Sequence, residues 1–102
     1  MKIQYLYFED CPSHEQGLAR LKKVLEEESV NQEIEIIEVL SEKQARELNF
    51  IGSPTILVNG RDIDPEGPAG QSSALACRVY RLPEGRFSPL PSESMIRKAL
   101  HR

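Results

Sequence analysis

The apolar positions change period several times along the chain, and each change marks a predicted element. Ile3 and the unbroken run Tyr5-Leu6-Tyr7-Phe8 predict a strand over residues 2–8, covered on both faces as in the middle of a parallel sheet. From about residue 12 to residue 28 the period becomes helical. Leu18, Leu21, Val24 and Leu25 share one face, and Arg20, Lys22, Lys23, Glu26 and Glu27 the other. Gly17 lies inside this helix at a cost of about 1 kcal/mol against Ala. It reads either as a tolerated surface glycine or as a point where neighbouring backbone comes close. Residues 33–39 alternate, which predicts a strand with one wet face at a sheet edge. Ser41 and Gln44 then fit a capping box opening a short helix to Leu48, with Ala45 inward and Asn49 as its stop.

The second half is more broken. Pro54 can stand at the first residue of a buried strand, Ile56-Leu57-Val58, because no ladder donor is needed there. Asn59-Gly60 is a strong turn signal. After a loop through residue 75, residues 76–82 are predicted as the next strand, followed by a turn at Pro83-Glu84-Gly85 and irregular chain over 87–91. Ser92 is a good N-cap for a last helix that carries Met95, Ile96, Ala99 and Leu100 on one face. The order β-α-β-α-β-β-α makes this an α/β chain, expected as a single domain over residues 1–102.

Composition narrows the function classes. A chain of 102 residues supports one modest core. With 39% apolar and 28% charged residues it is globular rather than disordered. The net charge of −3 disfavours a nucleic-acid partner. No apolar run nears the roughly 18 residues that span a bilayer, so no membrane partner is expected. The N-terminus enters a strand without a signal-peptide layout, so a cytoplasmic location is expected. There a structural disulfide is disfavoured, and Cys11 and Cys77 are expected to be free, redox-active or metal-binding. They form no zinc spacing, and no metal or other cofactor is implied.

Cys11 is the leading candidate. It lies between the buried strand and the first helix, where unpaired N–H groups and the helix dipole can stabilise a thiolate. Glu9 and Asp10 oppose that ionisation by like charge. His14, three residues on, could support the thiolate when protonated or help to ligate a soft metal when neutral. Ser13-His14-Glu15-Gln16 is a second capping-box pattern, which would leave Cys11 further outside the helix.

Cys11-Pro12-Ser13-His14 after the first strand and Gly52-Ser53-Pro54-Thr55 before the third resemble the thioredoxin-like superfamily, over nearly the whole chain. With Cys77-Arg78-Val79-Tyr80 late in the sequence, they look more narrowly like a group of small bacterial thioredoxin-like proteins. Some of these are labelled as related to alkylmercury lyase, although no organomercurial site of several cysteines and an acid is visible here. The resemblance implies a four-stranded mixed sheet flanked by helices, its strands in the order second, first, third, fourth. It also implies a cis Ser53–Pro54 peptide and thiol–disulfide oxidoreductase activity. It places Cys11, His14 and Pro54 in the catalytic centre and Pro12, Ser53 and Thr55 beside an extended substrate.

One departure shapes the expected mechanism. His14 occupies the place of the family's second cysteine, so the usual intramolecular release step is missing. The expected reaction is therefore single-thiol: Cys11 forms a mixed disulfide with a protein or small-molecule partner, and an external thiol resolves it. The alternatives are a binding protein capturing a soft metal or metalloid at Cys11, and a redox-inactive interaction module. The sheet edges could support a homodimer.

Cys77 could be the missing thiol, but the predicted topology argues against it. If residues 55–59 descend from the active-site end and 76–82 return antiparallel, Cys77 starts about 15 Å away at about 3.3 Å per residue. A disulfide needs Cα atoms within about 7 Å. Cys77 is therefore expected as a core-edge residue. Arg78, Arg81, Arg86, Lys98 and Arg102 read as solvated charge. Arg61-Asp62-Ile63-Asp64-Pro65-Glu66 lacks calcium-loop spacing and reads as a cover or specificity element, or as nothing functional.

Overall fold

The first strand is the spine of the molecule. In the computed structural model, which describes residues 1–65 and 72–101, β1 (Ile3–Tyr7) lies inside a sheet of order β2-β1-β3-β4. It pairs in parallel with β2 (Ile34–Glu38) and antiparallel with β3 (Thr55–Val58), which pairs antiparallel with β4 (Arg61–Asp62). Successive side chains of β1 leave on opposite faces. Ile3 and Tyr5 enter a core with Leu21, Val24 and Leu25 of α1 (His14–Glu27) and Ile96, Ala99 and Leu100 of α3 (Glu93–Leu100). Leu6 enters a smaller core with Val39, Ala45 of α2 (Glu42–Leu48) and Phe50. Burying each Leu or Ile side chain contributes about 1.5–3 kcal/mol, so the two faces together explain why the run at 5–8 is unbroken. The molecule is thus an α/β fold with a four-stranded mixed sheet. Among the described residues no helix is long and apolar enough to cross a membrane.

Local signals explain most helix ends. Ser41 accepts a hydrogen bond from the Gln44 N–H at 3.1 Å, and the Gln44 side chain reaches back to the Leu40 N–H at 2.8 Å. Asn49 closes the helix in the left-handed region, φ 54°. Ser92 caps α3 through the Met95 N–H at 3.2 Å. The first helix differs. It starts at His14, and Ser13 stands at the N-cap without a side-chain bond, so the second capping box does not form. Residues 8–13 form turns instead, with the Cys11 N–H on the Phe8 carbonyl at 3.0 Å.

Gly17 is buried and not a surface glycine, but side chains rather than a neighbouring backbone crowd it. A Cβ there would meet the Tyr5 hydroxyl well inside contact distance, with Pro54 Cγ at 3.2 Å and Leu90 Cδ2 at 3.3 Å. The Tyr5 ring cannot retreat easily, because its hydroxyl donates to the His14 carbonyl at 2.5 Å. Burial also pushes the Tyr5 pKa up, so the hydroxyl keeps its proton. Gly17→Ala should gain about 1 kcal/mol in helix propensity and lose about 1–3 kcal/mol to overpacking. The expected net is a lower urea midpoint, and a raised midpoint would contradict this packing.

The predicted fourth strand is corrected. Asn59 and Gly60 both have positive φ, 54° and 80°, and make a two-residue hairpin loop that returns at once as β4. A two-residue strand has no period to read, so Arg61-Asp62 passed for loop. Residues 76–82, predicted to fill that place, instead divide. Cys77 makes an isolated parallel bridge with Ser53, and β5 (Tyr80–Arg81) pairs with β6 (Phe87–Ser88) in a separate ribbon. Glu66 and Arg102 lie outside the described residues.

Candidate functional site

The site forms where three segments meet at one end of the sheet. The first is the turn after β1, ending at Cys11, which is completely buried. The second is Gly52-Ser53-Pro54-Thr55, whose Ser53–Pro54 peptide is cis. These two are joined by the Phe8 N–H, which donates to the Ser53 hydroxyl at 2.9 Å. The third is Ala76-Cys77-Arg78, which lies along Ser53. The Ser53 N–H donates to the Ala76 carbonyl at 2.8 Å, and the Arg78 N–H donates to the Ser53 carbonyl at 3.0 Å. That register sets Cys77 beside Cys11, with Cα atoms 5.6 Å apart and the sulfurs joined in a disulfide. The expectation that Cys77 lies out of reach is overturned. The antiparallel return is taken by β4, and the chain comes back to the site end before Cys77.

Gly52 makes this approach possible. Its φ is 142°, and an added Cβ would lie 2.7 Å from Arg78 Cβ and 2.9 Å from Arg78 Cα. Since the obstacle includes backbone, Gly52→Ala must push residues 76–78 off Ser53. The backbone strain alone costs about 1–3 kcal/mol. Air-oxidised Gly52→Ala protein should show reactive thiols where wild type shows few, which a thiol-titrating dye would count.

Arg78 and Tyr80 lock the third segment from beneath, correcting the reading of Arg78 as solvated charge. Both are buried, while Cys77, Val79 and Arg81 between and beside them are exposed. The Arg78 guanidinium donates to both Asp62 oxygens, at 2.7 and 2.8 Å, and its carbon lies 4.1 Å from the Tyr80 ring centroid. The Tyr80 hydroxyl donates to the Pro54 carbonyl. Burial raises the Tyr80 pKa strongly, so it remains a donor. A legible signal existed here. Strand alternation puts residues 78 and 80 on one face, and an arginine sharing a face with a buried tyrosine needs a carboxylate.

The other predicted site residues have different surroundings from those expected. The His14 ring stacks on Tyr7, centroids 4.7 Å apart, so its engagement is with Tyr7 rather than with Cys11. The Ser53 and Thr55 hydroxyls face inward. Ser53 serves Phe8, and Thr55 donates to the Gly52 carbonyl at 2.6 Å. Both residues are buried, so neither side chain is offered to a substrate. Pro12 is exposed beside the pair. Among the described residues no group of three or more His, Cys, Asp or Glu could hold a metal ion.

Chemically, the arrangement is a disulfide between one buried and one exposed cysteine, a bond that thiol–disulfide exchange can open to a dithiol. Compared with family models, curated proteins and solved structures, the chain matches none.

Proposed function

We propose that the chain is a thioredoxin-like thiol–disulfide oxidoreductase whose redox couple is Cys11–Cys77. The observation that carries this reading is the pairing of a fully buried cysteine with an exposed one, in a register held by hydrogen bonds independent of the disulfide. A mixed sheet of order β2-β1-β3-β4 and a cis-proline at the start of β3 support the thioredoxin-like assignment. Two thiols replace the single-thiol scheme. The pair supplies between its two sulfurs the intramolecular release step that His14 cannot, and the partners are protein or low-molecular-weight disulfides and thiols. A reducing compartment such as the cytoplasm would suit a disulfide that is transient and catalytic. Soft-metal capture is the weaker reading, because His14 is stacked away on Tyr7.

Insulin reduction with a regenerating thiol tests turnover. Cys11→Ser and Cys77→Ser should each lower the rate at least about tenfold, since the release step needs both thiols. Equal rates for wild type and both variants would remove the proposal.

A further inference from the structure

Resting on the exchange activity proposed above, we infer that Cys77 is the sulfur that reacts with external partners and Cys11 is the buried resolving thiol. This reverses the roles expected from their order in the chain. Exchange requires access to the sulfur attacked, with the bond to the other sulfur breaking as the new one forms. Cys11 is 0% exposed and offers no such access. Cys77 lies on the outward side of its segment with Val79 and Arg81, while Arg78 and Tyr80 turn inward. The locks on this segment do not involve sulfur. Ser53 holds the backbone, Asp62 holds Arg78 and the Pro54 carbonyl holds Tyr80. Cys77 therefore stays above Cys11 when the pair is reduced.

The reaction balances as follows. The Cys77 thiolate attacks an external disulfide R–S–S–R′, a Cys77–S–R bond forms, and R′S⁻ leaves and takes a proton from solvent. The Cys11 thiolate then attacks the Cys77 sulfur, the bond to R breaks, and RS⁻ leaves and is protonated. The external disulfide gains two electrons and becomes two thiols, and the protein pair loses two electrons and becomes the disulfide. A low-molecular-weight thiol recharges the pair by the same steps in reverse. Backbone-fixed geometry makes the second step intramolecular, so it outruns attack by free thiol in solution.

Trapping tests the assignment. Reduced full-length wild type is mixed with glutathione disulfide and quenched with acid at short times, and the glutathione adduct is mapped by peptide mass spectrometry. Cys11→Ser and Cys77→Ser, each checked for native circular dichroism, are treated alike. The expected result is an adduct on Cys77 in wild type and a lasting Cys77 adduct in Cys11→Ser. In Cys77→Ser, modification of Cys11 should be slower by at least about tenfold, as burial requires. An adduct mapping to Cys11 in wild type would overturn the inference while leaving the exchange activity standing. No adduct on either cysteine, in wild type or in either variant, would overturn both.

Discussion

Asp62→Asn should cost about 3–5 kcal/mol of folding stability, because it removes one partner of a buried ion pair and leaves the other charge in place. The side chains of Arg78 and Asp62 are only 4% and 6% exposed and meet at 2.7 Å. The guanidinium has a further contact with the Thr55 hydroxyl at 3.4 Å and lies over the Tyr80 ring, so it cannot swing into water without unpacking the site. A small domain has about 5–15 kcal/mol in all. Asp62→Asn should therefore be marginally folded, with a urea midpoint lowered by a third or more. A loss under about 1 kcal/mol would mean that the pair is solvated, as surface bridges are. The double variant Asp62→Leu/Arg78→Met should recover most of the loss, because a buried pair contributes little net stability against apolar replacements. The single substitution should also loosen residues 76–78, so thiol-dye reaction of the reduced protein should quicken.

The parts of the fold that could be read from sequence are those decided by neighbours in the chain. Tyr5-Leu6-Tyr7-Phe8 announces two covered faces because alternate side chains must enter different cores. Ile34 to Glu38 announces an edge through its alternation, and β2 is the outer strand of the sheet, although Ile36, on the face predicted to be dry, is half exposed. Ser41 with Gln44, and Ser92, act within four residues, so their caps can be read directly. The site was legible only in part. Cys11 and the Gly52-Ser53-Pro54-Thr55 loop stand out by composition, but what lies between them does not. The position of Cys77 depends on a hairpin that closes after Gly60 into a strand too short to show a period, and on backbone bonds to Ser53. Neither leaves a mark on side-chain pattern. Arg78 and Asp62 are sixteen positions apart and become partners only once that path is known. Gly52 looks like any loop glycine until the Arg78 backbone is laid against it.

Reducing Cys11–Cys77 should lower stability by about 4 kcal/mol, the loop-closure entropy lost when the denatured chain is freed from a bridge spanning 66 positions. Urea unfolding of oxidised and reduced protein measures that difference directly. The same free energy must separate the reduction potential of the native pair from that of the unfolded chain. At about 1.4 kcal/mol per 30 mV, the native couple should be more reducing by roughly 90 mV. Glutathione equilibria with and without denaturant give the second value, and the cycle closes only if the reduced form is native-like. This decides between a working couple and a staple. If reduced protein still unfolds cooperatively, weaker by the expected amount, then Ser53, Asp62 and the Pro54 carbonyl hold Cys77 in place and the pair can cycle on a folded frame. If reduction alone unfolds the chain, each turn of exchange would require refolding, and the oxidoreductase reading fails. The Asp62 and disulfide effects also act on one segment. Asp62→Asn and reduction together should therefore depart from additivity by more than the 0.3–0.5 kcal/mol typical of independent sites.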